Sequence, residues 1–441
     1  MVAKARAAAF EILRKVATTD AHSDDLLRVP EVDALSVQDR ALTTTLVLGT
    51  LRWQLLLDAR IRPLLARPGA KLPPAIETAL RLGAYQLLYL DRIPPHAAIG
   101  ESVELAKKAG EMQAARMVNA VLRKLAQMPC DPEHEDTTAA VHAHPAWMVE
   151  RWRQVYGEDA AQAICAFDQQ PAGIGLRLLH PEAETALCDA GIELAPGEFL
   201  TSARKLVRGD VVRSEAFRRG WVRIQDEGSQ LVAELVGSGQ QILDTCAAPG
   251  GKAAILAERK PHAQITAWDI SRRRLDAMRK LLASHGERIQ YAVQDAAKST
   301  LSAKYDLILC DVPCTGTGTI ARNPEIRFRI DADEIQRQQK RQIEILSAVL
   351  HGLAPSGRLL YSTCSLEPEE NEAVIAEIMA KHPGFRLLSV EEEIEKLFRA
   401  NVIHAEGFAA LRQHAVRNGF LRTLPGITQC DGFFAAIFTR E

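Results

Sequence analysis

The 441-residue sequence lacks long uncharged apolar runs, and no window approaches the ~18 such residues that a membrane-crossing helix needs. A helical integral membrane protein is therefore not expected. The first residues, MVAKARAAAFEILRKV, place Glu11, Arg14 and Lys15 where a secretory signal would be apolar, so a cytoplasmic location is expected. Cysteine is thinly spread: eight residues, with no Cys-x-x-Cys pair and no Cys/His group at zinc spacing. Neither a disulfide framework nor a metal site is expected. A dominant charge is also missing, since 54 Lys and Arg stand against 56 Asp and Glu for a net charge of −2. That balance argues against a histone-like binder of nucleic acid. The G-x-G-x-x-G pattern of dinucleotide sites and the Walker pattern of phosphate loops are both absent.

What is present is unevenly arranged. Residues 1–127 hold 18 Lys and Arg against 13 Asp and Glu, so a nucleic-acid surface would be a patch on a nearly neutral body. Up to about Leu125 apolar residues recur at spacings of three and four, as in Phe10, Leu13 and Val16. Pro63, Pro73, Pro74, Pro94 and Pro95 punctuate the segments, which predicts an all-α bundle. The polar stretch from Met128 to Trp147 has the composition of a linker. Two helical segments and the strand-like runs GIGLRLL and WVRIQD follow, with Arg204, Lys205, Arg208, Arg213, Arg218 and Arg219 between those runs. These cations suit either a solvated face or a surface that tracks phosphates.

From Gln240 the pattern alternates. QILDTC, QITAWDI, IQYAVQD, YDLILCD and GRLLYST are short apolar runs, each ending in a polar or acidic residue, with helical stretches between several of them. Such alternation predicts a parallel sheet covered on both faces, with its ligand at the carboxyl ends of the strands. The first run enters CAAPGGK, where Gly250 and Gly251 permit a tight turn into a helix. Asp244, Asp269, Asp295 and Asp311 end four successive strands. A carboxylate at the second can accept from both ribose hydroxyls of a nucleoside, and one at the third from an adenine amino group. An adenosyl ligand is expected.

Two cysteines fall at strand ends, Cys314 in DVPCTGTGT and Cys364 in STCSLEPEENE. Each follows an apolar strand and enters a loop, which presents the thiol at the ligand end of the sheet. Cys130, Cys165, Cys188, Cys310 and Cys430 are read instead as small buried hydrophobes. Carbon 5 of cytosine is not nucleophilic until a thiolate adds to carbon 6, so a thiol, an acid and a methyl donor together suit its methylation.

DTCAAPGGK, DVPCTGTGT with the RNPE that follows, and YSTCSLEPEENE resemble the motifs of the RNA 5-methylcytosine methyltransferases of the NOL1/NOP2/Sun family. IQDEGSQLVAELV and LPGITQCDGFFAAIFTR are similar to further elements of that family. DRALTTTLVLGTLRW, AYQLLYLDRIPPHAAIGESVELAK and VNAVLRKL resemble the helical RNA-binding domain of the antitermination factor NusB.

The resemblance implies a multi-domain chain: a NusB-like helical domain over 1–128, a linker and small α+β RNA-binding region over 129–220, and a Rossmann-like class I methyltransferase domain over 221–441. It implies S-adenosylmethionine as cofactor, held by Cys246, Ala247, Ala248, Pro249, Gly250, Gly251 and Lys252 with Asp269, Asp295 and Asp311. Cys364 becomes the nucleophile and Cys314 the residue that assists release of methylated RNA, while Asp311 meets the cytosine edge. The run from Arg322 to Glu325 would border the RNA. With the NusB-like domain, the implied substrate is 16S ribosomal RNA, and the protein is expected to act as a monomer without metal. Transfer RNA as substrate, a non-catalytic antitermination-type factor and a DNA cytosine methyltransferase are the alternatives. The last would take its nucleophile from the Pro-Cys motif, and the sequence shows no DNA-recognition module.

Overall fold

The computed structural model describes residues 2–128, 137–301 and 304–440. Cys130 and much of the polar stretch after Met128 lie outside the described residues. Among the described residues no helix is long and apolar enough to cross a membrane. Contacts divide the chain into two compact units, Met1–Ala172 with Ile320–Arg329, and Gly173–Thr319 with Ile330–Glu441.

The first unit is helical. Its helix Lys4–Thr18 buries Ala5, Ala9, Phe10, Ile12, Leu13 and Val16, the stripe that spacings of three and four produce on one face. Helices Pro74–Tyr89 and Pro95–Lys108 both start on a proline, whose missing N–H would have no partner in the first turn. Trp53 and Tyr89 stack at 4.7 Å, and Tyr85 is buried beside them. The segment 320–329 belongs to this unit, and the last residue of its RNPE run turns inward. Glu325 is 1% exposed and accepts from the main-chain N–H (2.8 Å) and hydroxyl (2.9 Å) of Ser23, at the start of helix Ser23–Leu27. Arg327 is buried as well, and donates to the carbonyls of Arg52 at 3.2 Å and Ala143 at 2.9 Å.

The second unit holds two sheets. Strands β1 (Gly175–Leu178), β2 (Glu193–Pro196), β3 (Ala203–Arg208) and β4 (Val222–Ile224) pair antiparallel in the order β2-β3-β1-β4. Five of the six cations on and after β3 have a carboxylate within 4 Å. Arg204 holds Glu184 through two nitrogens at 2.6 and 2.7 Å. Arg208 meets Glu193, Arg213 meets Asp210, and Arg218 and Arg219 share Glu215. Exposed pairs of this kind are weak, so the group still suits either a solvated face or a phosphate track.

The larger sheet is built from β5 (Gln241–Asp244), β6 (Gln264–Asp269), β7 (Ile289–Val293), β8 (Tyr305–Asp311), β9 (Leu353–Thr363), β10 (Phe385–Leu388), β11 (Val416–Arg417), β12 (Phe420–Arg422) and β13 (Phe434–Arg440). Strands β5 to β9 run parallel in the order β7-β6-β5-β8-β9. The sheet is nevertheless mixed, because β13 pairs antiparallel with β9 and carries β10 and β12 antiparallel beside it. A wholly parallel sheet, as the alternation predicts, needs a crossover after every strand, and β11 to β12 turns back through two residues instead. Alternate residues of β8 enter opposite cores, Leu307 and Leu309 on one face and Ile308 and Cys310 on the other. Strand order reverses between β5 and β8, which opens a crevice at their carboxyl ends.

Candidate active site

The loop after β5 is drawn toward β6. Ala247 donates its N–H to the carbonyl of Trp268 at 2.7 Å, and the Ala248 N–H points to Asp269 Oδ2 at 3.3 Å. Asp269 Oδ1 accepts from the Ser271 N–H at 2.8 Å, and Arg274 Nη1 stands 3.5 Å from the same carboxylate. Gly250 turns the chain with φ of 108° into helix Gly251–Arg259. A side chain there would be strained by that φ, and its Cβ would stand 2.7 Å from Met278 Cγ. The carbonyl of Asp269 accepts from the Gln294 N–H at 3.1 Å, which ties in the end of β7, where Asp295 keeps a partly exposed carboxylate. Ile270 and Val293 are 56% and 43% exposed beside these two acids.

Across the strand reversal, Lys252 Nζ lies 2.7 Å from Asp311 Oδ2, and the Ser362 hydroxyl donates to Asp311 Oδ1 at 2.7 Å. Burial pulls the Lys252 ammonium down, but the attraction of Asp311 outweighs it and the net displacement is upward. Asp244 lies beneath with both carboxylate oxygens buried and unpaired. Burial, and then Asp311, push its carboxyl up to about 8. Burial also drives the Cys246 thiol well above its ordinary value.

Cys314 and Cys364 leave the adjacent strands β8 and β9, and their sulfurs meet at 3.4 Å. The hydrogen bond to Cys364, followed by burial, drives the Cys314 thiol well above its ordinary value. The remaining cysteines separate from this pair. Cys165, Cys310 and Cys430 are buried, and burial holds Cys310 at about 12. Cys188 is exposed, because it falls on the outer side of the short helix Ala183–Asp189 whose buried residues are Ala183 and Leu187.

Several site residues are not among those expected from the sequence. Glu367 and Glu370 are buried just ahead of helix Glu372–Lys381. Gln342 lies on helix Ala332–Leu350 and reaches the carbonyl of Pro313 at 2.9 Å. It lies on the buried stripe of that helix with Ile335, Ile345, Leu346 and Val349, so its seven-residue spacing from Ile335 and Val349 is the signal that could have found it.

Five parallel strands in this order, a glycine turn after the first of them and two thiols at adjacent strand ends define a Rossmann-like methyltransferase domain. Residues 235–439 match the family described as 16S rRNA methyltransferase RsmB/F, residues 3–127 the NusB family, and residues 144–211 the ferredoxin-like domain of RsmF/B-like methyltransferases. The chain is 34% identical over 445 residues to a protein named probable ribosomal RNA small subunit methyltransferase B from Bacillus subtilis, covering 97% of this chain and 96% of that one. It is 34% identical over 410 residues to ribosomal RNA small subunit methyltransferase B of Pseudomonas putida, covering 88% and 91%. A solved methyltransferase homologue from Pyrococcus horikoshii is 26% identical, with a TM-score of 0.56 over 70% of this chain and all of that one. This chain belongs to the RsmB/F methyltransferase family.

Proposed function

We propose that the protein methylates carbon 5 of a cytosine in 16S ribosomal RNA, with S-adenosylmethionine as methyl donor and Cys364 as covalent nucleophile. The observation that carries this reading is the contact of two thiols at 3.4 Å beside the Lys252–Asp311 pair. The 16S substrate is supported by the names of the relatives that match most of the chain.

The residues after β5, β6 and β7 fit an adenosyl group. The Gly250 turn lets a ligand approach the backbone, Asp269 and Asp295 offer carboxylates at strand ends, and Ile270 and Val293 offer apolar surface for a flat ring. Cys246 through Lys252 with Asp269, Asp295 and Asp311 would hold it. When bound, the cofactor supplies an electrophilic methyl carbon on a sulfonium.

The chain's own groups divide the remaining work. The Cys364 thiolate adds to carbon 6 of the base, which makes carbon 5 an enamine-like nucleophile. Asp311, poised by Lys252 and Ser362, meets the polar edge of the cytosine. After methylation the carbon 5 proton passes to solvent water, the electron pair of that C–H bond re-forms the 5,6 double bond, and the Cys364 sulfur leaves as a thiolate. Cys314, in contact with that sulfur, assists this release. Transfer of radiolabelled methyl from S-adenosylmethionine to protein-free 16S ribosomal RNA tests the reading. Label at a single cytosine as 5-methylcytosine supports it. Label on another base or another position, or none on any RNA while the cofactor binds, removes it.

A further inference from the structure

Six residues after Cys364, Glu370 is fully buried in the second unit, although the mechanism above gives it nothing to do. Its carboxylate collects four donors. They are the Thr315 N–H at 2.9 Å, the Gln342 side-chain amide at 2.8 Å, and the hydroxyls of Thr315 and Ser365. Thr315 follows Cys314 directly and Ser365 follows Cys364 directly, and the two hydroxyl oxygens are 3.1 Å apart. Gln342 closes the arrangement on the other side, since the same amide nitrogen also donates to the carbonyl of Pro313. Cys314 is thus bracketed by Pro313 and Thr315, both tied to one carboxylate, and Cys364 is tied to the same carboxylate through Ser365.

Burying a carboxylate is unfavourable unless its partners repay the lost hydration, so an apolar side chain would be the simpler filling for this position. The partners that repay it here come from the two loops that carry the thiols. Other bonds also join these loops, from the Gly318 N–H to the Cys364 carbonyl at 2.9 Å and from the Leu366 N–H to the Thr317 hydroxyl at 2.8 Å. Those lie further along the first loop. Among the described residues, the Glu370 cluster is the one set of these bonds that holds Thr315, next to Cys314, and Ser365, next to Cys364, on a single group.

We propose that Glu370 is a positioning residue that sets the spacing of Cys314 and Cys364 by holding Thr315 and Ser365 on one carboxylate. The consequence for catalysis rests on the proposed roles of the two cysteines, whereas the spacing itself does not. A neutral isostere preserves the geometry: in Glu370→Gln the amide oxygen accepts from Thr315 and Gln342, and the amide nitrogen donates to the two hydroxyl oxygens.

The test compares the native chain with Glu370→Gln, Glu370→Ala and Thr315→Val. Diamide removes two electrons and two protons from a pair of thiols to leave a disulfide and the reduced hydrazine, and peptide mapping follows the Cys314–Cys364 bond. Glu370→Ala is expected to form that bond about tenfold more slowly than the native chain while still binding S-adenosylmethionine, and Glu370→Gln within about threefold. Thr315→Val, which keeps the main-chain tie and loses the hydroxyl, is expected between them and decides the matter if Glu370→Ala does not fold. Equal rates in all four proteins, or Gln as slow as Ala, would overturn the proposal. In single turnover with RNA, Glu370→Ala should slow release of the covalent adduct more than its formation. A native protein that forms no adduct would remove the proposed chemistry, and the disulfide rates would still decide the spacing role.

Discussion

Lys252 Nζ and Asp311 Oδ2, 59 residues apart in the chain, face each other at 2.7 Å across the point where the strand order of the large sheet reverses. The pair joins the cofactor turn after β5 to the Pro-Cys loop after β8. Removing either partner leaves the other partly buried without its counter-charge. Asp311→Asn and Lys252→Met are each expected to lower kcat about a hundredfold and, because both residues belong to the set that would hold the cofactor, to weaken its binding as well. Steady-state kinetics with titration of S-adenosylmethionine checks this. Unchanged kcat would take the pair out of the reaction.

The two thiols should separate by kinetics. Cys364→Ala is expected to abolish methyl transfer and keep cofactor binding. Cys314→Ala is expected to accumulate protein bound to RNA, visible as a slow band under denaturing conditions that disappears in the double variant. A Cys314→Ala protein that turns over freely with no such band would show that release does not need this sulfur.

Asp244 predicts a pH dependence of stability. Its carboxyl stands at about 8 in the folded chain, whereas an unfolded aspartate titrates near ~3.9. The folded state therefore binds the proton more tightly, and stability falls as pH rises from about 4 to about 8, with a limiting slope of about 1.4 kcal/mol per pH unit. Asp244→Asn removes that slope. Urea midpoints of both proteins, measured without cofactor at several pH values across the window, should diverge in favour of the variant as pH rises. Parallel curves would mean that Asp244 is ionised at no cost.

Glu325 gives the opposite sign in the helical unit. Burial pushes its carboxyl up, but His22 and Ser23 outweigh burial and hold it below the usual carboxylate value. Its contribution is present above the unfolded value of ~4.3 and is lost as pH falls through the lower folded value. Glu325→Ala should cost about 1–2 kcal/mol near neutral pH, because the Ser23 N–H and hydroxyl lose their acceptor. Thermal melts at neutral and acid pH test it. An equal loss at both would assign the effect to packing.

Much of the second unit was legible. The five parallel strands, the glycine turn and the strand-end acids follow from short apolar runs, four of which lead into Asp, because a strand in the middle of a covered sheet shows as a nearly continuous apolar run. The antiparallel edge was harder to read. FFAAIFTR is apolar enough for a central strand, and nothing local says that β13 lies antiparallel against β9. Cys188 was misplaced as buried, because a single cysteine on a short helix carries no sign of which side faces outward.

The amino-acid order by itself determined where the helices and parallel strands form and which loops carry the thiols and acids, since both depend on local periodicity and turn residues. Only the tertiary structure decided that Cys314 and Cys364 meet at 3.4 Å, that Lys252 pairs with Asp311, and that Glu370 joins the two cysteine loops. These contacts span separations as long as 59 residues. They exist because parallel strands bring their carboxyl ends to one edge, whereas periodicity reports only which face of its own element a residue occupies.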